Sequence, residues 1–218
     1  MSLLVYAIAE RGGIVTSGVG LEARPLRAVS EGPLLAVVSD HQGPDPEPTA
    51  AALSAYERTV RRLMERAAIL PAQFASVLED EAAVRALLRE RRDDLLARLK
   101  GVRGAVEIGL RASWSDDHAR SEVLATSGTS YLRDRLERRQ NARRVASQLD
   151  PLAALARSSR RALAPRPDLP VLDAYLVDRA RVREFVALVE QLDDRLDDVE
   201  LVCTGPWPPY SFADGAPA

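Results

Sequence analysis

The stretch Leu3 to Ala9, LLVYAIA, is apolar almost without interruption. A strand with one wet face alternates apolar and polar side chains. An unbroken apolar run of strand length fits a strand that is buried instead. Such a strand needs cover, and the residues after it have the patterns to supply it.

Two short apolar runs follow, PLRAV (25–29) and PLLAVVSD (33–40), separated by SEG, which is a hairpin pattern. HQGPDPEPT (41–49) is a proline-punctuated loop. A helix comes next, with Leu53, Tyr56, Val60, Leu63, Met64 and Ala67 at the i, i+3, i+4 spacing of one buried face. Glu57, Arg58, Arg61, Arg62 and Glu65 take the wet side. ILPAQFASVLED (69–80) reads as a short extended piece, and Asp80 suits a helix N-cap. Val84, Leu88, Leu95 and Leu99 then form one helical stripe, interrupted at Arg91 and Arg92, whose alkyl stems would cover the gap. Lys100-Gly101 supplies the cation and the glycine expected at a helix end.

The pattern then restarts, which places a domain boundary near Gly101. Val106, Ile108, Leu110, Ala112 and Trp114 alternate with Glu107, Gly109, Arg111 and Ser113, as in a strand with one wet face. The sequence predicts a long helical stretch from about Thr129 to Ala162, with Ala142, Val145, Leu149, Leu152 and Ala156 at heptad spacing. Asp150-Pro151 predicts a kink or two abutting helices there. APRPDLP (164–170) reads as a loop and VLDAYLVD (171–178) as a strand. Val182, Phe185, Val186, Val189, Leu192 and Leu196 mark an amphipathic helix, and Val199, Leu201 and Cys203 a last strand. The fold class expected is therefore α/β (α+β) in two domains. Residues 1–101 form an N-terminal mixed α/β domain. Residues 102–218 form a ferredoxin-like domain with long amphipathic helices, one strand of the usual unit missing or altered.

Length and charge narrow the class. A chain of 218 residues is one large domain or two small ones. The single cysteine, Cys203, allows no internal disulfide and reads as a small core residue, in a reducing, cytoplasmic setting. The opening MSLLVYAIAERGG lacks the basic n-region of a signal peptide. No apolar run approaches the ~18 residues of a membrane span, so no lipid membrane partner is expected. The net charge of −2 gives no global pull toward nucleic acid.

Catalytic chemistry is scarce. There are two histidines, His41 and His118. Ser39, Asp40 and His41 are adjacent in the chain, and adjacency does not make a triad. GVGLEA (18–23) has the spacing of a dinucleotide glycine fingerprint, but Pro25 and a hairpin follow where a helix is required, so it reads as a turn. DDRLDD (193–198) lacks the glycine and distal glutamate of a calcium loop. No catalytic residue, metal site or cofactor motif is assigned, and the chain is not read as an enzyme. YLRDRLERRQNARR (131–144) is more informative. Its six arginines against Asp134 and Glu137 give a local charge of +4, the mark of a solvated helix face, of docking to an acidic or amphipathic partner or, as the weaker functional reading given the negative net charge, of phosphate binding to nucleic acid.

Three stretches, ILPAQFASVLEDE (69–81), GTSYLRDRLERR (128–139) and the terminal GPWPPYSF (205–212), together resemble the gas vesicle protein F/L family, and LLVYAIA and LLAVVSD also fit it. The resemblance runs from Leu3 to Phe212. It implies a two-domain α/β protein with a ferredoxin-like C-terminal domain. It further implies an accessory factor of gas vesicle formation, located in the cytoplasm or on the vesicle. Its expected partners are the hydrophobic shell subunit and other accessory proteins. A small-ligand regulatory module is the alternative reading for such a domain. The residues expected to contact a partner are Phe74, Tyr131, Arg135, Arg138 and Arg139. Trp207, Tyr210 and Phe212 are expected to form an intramolecular clasp, since exposed aromatic clusters are uncommon on soluble proteins.

Overall fold

The protein is described by a computed structural model over residues 2–14, 16–115, 128–166 and 168–213, without the side chains of 128–135, 164 and 165. The chain forms two compact units, Met1–Gly104 together with Pro208–Ala218, and Ala105–Trp207.

The first unit contains β1 (Ser2–Glu10), β2 (Arg27–Glu31), β3 (Leu34–His41), α1 (Ala50–Arg66), β4 (Ile69–Pro71), β5 (Val77–Leu78), α2 (Glu81–Glu90) and α3 (Arg92–Val102). Its sheet has the order β2-β3-β1-β4, and β5 also pairs with β1; every pairing is antiparallel. The apolar run Leu3–Ala9 is thus an inner strand, with each of its residues at most 1% exposed. Helices α1 and α3 pack on β1, and α2 packs on β2 and β3. Burying a Leu, Val or Ile side chain contributes roughly 1.5–3 kcal/mol, so this strand is the main apolar anchor of the unit.

Helix starts follow the sequence closely. Thr49 and Asp80 cap α1 and α2, their side chains accepting from the N–H groups of Ala52 at 3.2 Å and Ala83 at 2.8 Å. The single stripe expected over residues 84–99 is instead two helices. Arg91 leaves the helical region (φ −106, ψ 14), and its guanidinium pairs with Asp94 in the first turn of α3, where Arg98 joins it. An acid there is favoured by the helix dipole, which gives the second helix its own start. The helix also passes through Gly101, and the left-handed glycine after it is Gly104 (φ 73).

The second unit contains β6 (Ala105–Trp114), α4 (Gly128–Gln148), α5 (Asp150–Ala153), β7 (Ala156–Arg166), β8 (Leu169–Asp178), α6 (Val182–Asp193) and β9 (Val199–Trp207). The sheet order is β7-β8-β6-β9, all antiparallel. This β-α-β-β-α-β order is the ferredoxin-like arrangement with its full set of four strands. The strand expected to be missing is β7. It occupies the end of the predicted helix (156–162) and the first three residues of the predicted loop (164–166), and β8 already begins at Leu169, so neither the helix end nor the loop forms as predicted. Ala156, the last heptad position, is the first residue of that strand. Pro151 stands in the first turn of α5, so the two-helix reading of the Asp150-Pro151 step is the one realised.

Tertiary bonding explains β7. Asp173 on β8 is 2% exposed, and Arg161 from β7 donates its Nε to both carboxylate oxygens, at 3.1 and 3.0 Å. Tyr175 donates its hydroxyl to the same carboxylate at 2.6 Å, and Arg161 reaches on to Asp150 of α5 at 2.9 Å. Ladder bonds with β8 and this buried charge outweigh the helix preference of an Ala/Arg-rich segment. Among the described residues, no helix is long and apolar enough to cross a membrane.

The network makes a quantitative expectation. Asp173→Ala removes the acceptor of a half-buried arginine and a buried phenol, and should cost the second unit about 3 kcal/mol. Urea unfolding followed by far-UV circular dichroism measures it, and a loss under about 1 kcal/mol would mean that the network contributes little.

Candidate functional site

Most of the described aromatic rings of the first unit meet around Tyr56. Its ring stacks on Tyr6 of β1 with centroids 5.0 Å apart, and Phe74 meets it edge-on at 5.5 Å. The Tyr56 hydroxyl faces three carbonyl oxygens, of Val5 at 2.8 Å, Ala72 at 3.1 Å and Gln73 at 3.0 Å. One proton is therefore shared among acceptors from β1 and from the chain just after β4. That chain is pinned in turn. Ala75 holds a left-handed conformation (φ 63), the Ser76 hydroxyl donates to the Gln73 carbonyl at 2.8 Å, and the Val5 N–H donates to Ser76 O at 2.9 Å. Phe74 is half-buried on this turn.

The end of the chain reaches the same unit. Pro208, Pro209, Phe212 and Ala213 are buried and Tyr210 is half-buried. A 3₁₀ turn over Tyr210–Phe212 packs on β4. Burial pushes the Tyr56 phenol well above its ordinary range, with Tyr210 and then Tyr6 adding to it. Trp207 precedes the turn as the last residue of β9, in register with Glu107 of β6. Gly205 (φ 119) makes that pairing possible, since a Cβ there would lie 2.9 Å from the Glu107 carbonyl oxygen.

The other expected contact residues belong to α4 in the second unit. The side chains of Tyr131 and Arg135 lie outside the described residues. Arg138 is half-buried, Arg139 and Arg143 are exposed, and Leu136 is 62% exposed. Leu136, Arg139 and Arg143 stand at i, i+3 and i+7, which is one helix face. Arg144 pairs with Asp198, in the acidic stretch after α6. Asp193 of that stretch accepts the Leu201 N–H at 2.7 Å. The site residues therefore form two groups. Phe74, Tyr210 and Phe212 are in the first unit, and Arg138 and Arg139 are in the second.

Residues weighed for chemistry are committed elsewhere. Ser39 meets the Tyr6 hydroxyl at 3.1 Å, Asp40 takes Arg27 at 3.1 Å, and His41 Nε2 lies 2.9 Å from the Pro44 carbonyl oxygen. Cys203 is half-buried rather than a full core residue, and burial pushes its thiol up. His118 lies outside the described residues. Among the described residues, no three His, Cys, Asp or Glu side chains are grouped to hold a metal ion.

Sequence reasoning passed over Tyr6 and Gly20. The Leu21 N–H donates to the Tyr6 hydroxyl at 2.7 Å, so a core tyrosine holds the 18–23 turn. A Cβ at Gly20 would sit 2.2 Å from that hydroxyl. The only available signals were a tyrosine inside an apolar run and an unexplained glycine pair, and neither names its partner.

Tyr56→Phe leaves its carbonyl acceptors without the shared proton, and should cost about 1–3 kcal/mol in denaturant unfolding. Burial raises the phenols of Tyr6, Tyr56 and Tyr175 alike. A folded-state pKa above the unfolded one adds stability that is complete below the unfolded value of about 10 and is lost as pH rises through the folded value. Melting temperature should therefore hold to about pH 9 and fall above about pH 10, less steeply for Tyr56→Phe. An equally steep fall in that variant would exclude Tyr56 as a contributor.

Comparison with known proteins agrees over the whole chain. Residues 2–214 match the family described as gas vesicle synthesis protein GvpL/GvpF. The chain is 30% identical to gas vesicle protein L of a Streptomyces species, covering 96% of this chain and 91% of that one. It is 28% identical to gas vesicle protein F2 of Halobacterium salinarum, covering 97% and 92%. The crystal structure of the gas vesicle protein GvpF from an Anabaena species superposes with a TM-score of 0.81 at 19% identity, covering 98% of this chain and 96% of that one. GvpF from Microcystis aeruginosa gives 0.79 at 18%, covering 98% and 99%. At these identities the two structures speak for the fold.

Proposed function

This chain belongs to the GvpL/GvpF family of gas vesicle synthesis proteins, and from that premise we propose that it is an accessory protein of gas vesicle formation that holds the apolar shell subunit, or other accessory proteins, until assembly. It works in the cytoplasm or on the vesicle surface. The physical need is plain: a subunit that will line a gas space exposes apolar surface before it polymerises, and such surface aggregates unless covered. The observation that carries the reading is the outer face of α4, where Leu136 is 62% exposed beside the exposed Arg139 and Arg143. A long apolar side chain among arginines suits an amphipathic partner with acidic flanks. Arg135 and Arg138 belong to the same proposed contact, and Phe74 is the proposed contact in the first unit.

Co-purification with the shell subunit tests this. The wild-type protein should retain the subunit, and joint reversal of Arg135, Arg138 and Arg139 to Glu should weaken retention about tenfold, equivalent to about 1.4 kcal/mol. Unchanged retention would remove α4 from the contact. No retention by the wild type would remove the shell subunit as partner.

The terminal GPWPPYSF has a different proposed task, as an intramolecular clasp of Trp207, Tyr210 and Phe212. The buried state of Pro208, Pro209 and Phe212 supports it. Phe212→Ala should lower stability by about 3 kcal/mol, while the folded fraction still binds its partner. A variant of full stability that loses its partner would make the segment a binding tail.

A further inference from the structure

A cleft of about 380 Å³ lies between the outer side of α1 and the turn that follows Gly18. Its walls are Val19 and Gly20 on the turn side, and Ala55, Arg58, Thr59, Arg61, Arg62 and Glu65 on the helix side. We infer that this cleft is a docking site for a protein partner's acidic segment, one that presents carboxylates beside an apolar side chain. It is separate from the α4 contact and goes beyond it.

Charge supports the choice of partner. The Arg61 guanidinium is met by Glu57 at 2.8 Å. Arg58 has no carboxylate partner among the described residues. Arg62 donates to the Val19 carbonyl at 2.8 Å and to Thr59 Oγ1 at 3.4 Å, contacts that orient its guanidinium without neutralising it. Arg58 and Arg62 stand four residues apart, so both guanidinium groups project from one side of α1. Glu65 carries a lone acid one turn further on, at the opposite end from Arg58. The cleft is therefore positive at one end, which sets a direction for an incoming acidic segment. A charge-assisted bond to a guanidinium is among the stronger polar contacts, and a carboxylate matches its planar fork.

Shape supports it as well. Val19 is 45% exposed at the lip of the cleft, an apolar side chain that is nearly half open to solvent. It offers the contact that an apolar residue flanking the carboxylates would use. The turn that carries Val19 is not left loose. A Val19–Pro25 bridge closes it, the Leu26 N–H donates to Gly18 O at 3.0 Å, and the core hydroxyl of Tyr6 accepts from Leu21 at 2.7 Å. The Arg66 guanidinium adds a bond to Ser17 at 3.1 Å. A wall held in this way lowers the ordering cost of binding.

The test uses the full chain and a fluorescein-labelled acetylated hexapeptide of alternating pattern, Glu-Leu-Glu-Glu-Leu-Glu, read by fluorescence anisotropy. Saturable one-site binding is expected, tightening at low salt, since exposed charges are screened over about 10 Å at 0.1 M. Arg58→Glu should weaken it at least tenfold with an unchanged melting temperature, because Arg58 is exposed and among the described residues makes no ion pair that its loss would break. Arg58→Lys should keep most of the affinity, and Arg139→Glu on α4 should keep all of it. The inference is overturned if the peptide does not bind saturably, if Arg58→Glu binds as the wild type does, or if Arg139→Glu weakens binding equally. The last result would put the peptide on the α4 face proposed above, or on basic surface in general, rather than in the cleft.

Discussion

A single buried hydroxyl proton holds the first unit in register. Tyr56 brings it from α1 to three carbonyl oxygens, of Val5 on β1 and of Ala72 and Gln73 beyond β4. Over Leu3–Ala9 the strand it meets has no wet face, so nothing polar there but the backbone and Tyr6 is available to orient a helix. Ring stacking sets how α1 lies on Tyr6, and the hydroxyl sets how deep the 71–76 turn comes. From that arrangement follow the position of Phe74, the surface on which the Tyr210–Phe212 turn packs, and the outer side of α1 that forms one wall of the cleft. Tyr6 does the same work in the other direction, holding the Gly20–Leu21 turn that forms the second wall. Buried polar groups need partners, and here the partners are elements far apart in the chain.

The second unit shows the same principle with a charge. Asp173 sits under the sheet, satisfied by Arg161 and Tyr175. Arg161 continues to Asp150, which ties the α5 turn to the edge strand. The edge itself is dense in arginine, with Arg157, Arg160, Arg161 and Arg166 along β7. Charged residues on an edge strand oppose pairing with another sheet.

Much of the architecture was legible because it rests on local period. The unbroken run Leu3–Ala9, the hairpin around SEG, the α1 stripe and the caps at Thr49 and Asp80 each express a rule acting within a few residues. The errors fall where distant groups decide. Arg91 was read as a cover for one helix, yet Asp94 draws its guanidinium into a new helix start. Residues 156–162 read as the end of a helix and 164–170 as a loop, yet residues 156–166 pair with β8 over a buried aspartate. Cys203 alternates with core residues, yet its strand runs on to Trp207 and leaves it half-buried. For the candidate sites, the basic stretch of α4 stood out by charge. The cleft did not, because Arg58 and Arg62 look like any solvated helix face until Val19 is placed opposite.

The linear chain was enough to establish the α/β class, the strand that had to be buried, the helix faces, and a likeness to gas vesicle proteins carried by three short motifs. These are properties of spacing and residue type, and they survive without knowing what touches what. Tertiary structure alone decided that β7 completes the second sheet, that GPWPPYSF ends as a buried turn on β4, and that an arginine pair faces an exposed valine across a cleft. Each depends on side chains tens of residues apart meeting in three dimensions, and no local pattern encodes the partner of a buried hydroxyl, a carboxylate or a guanidinium.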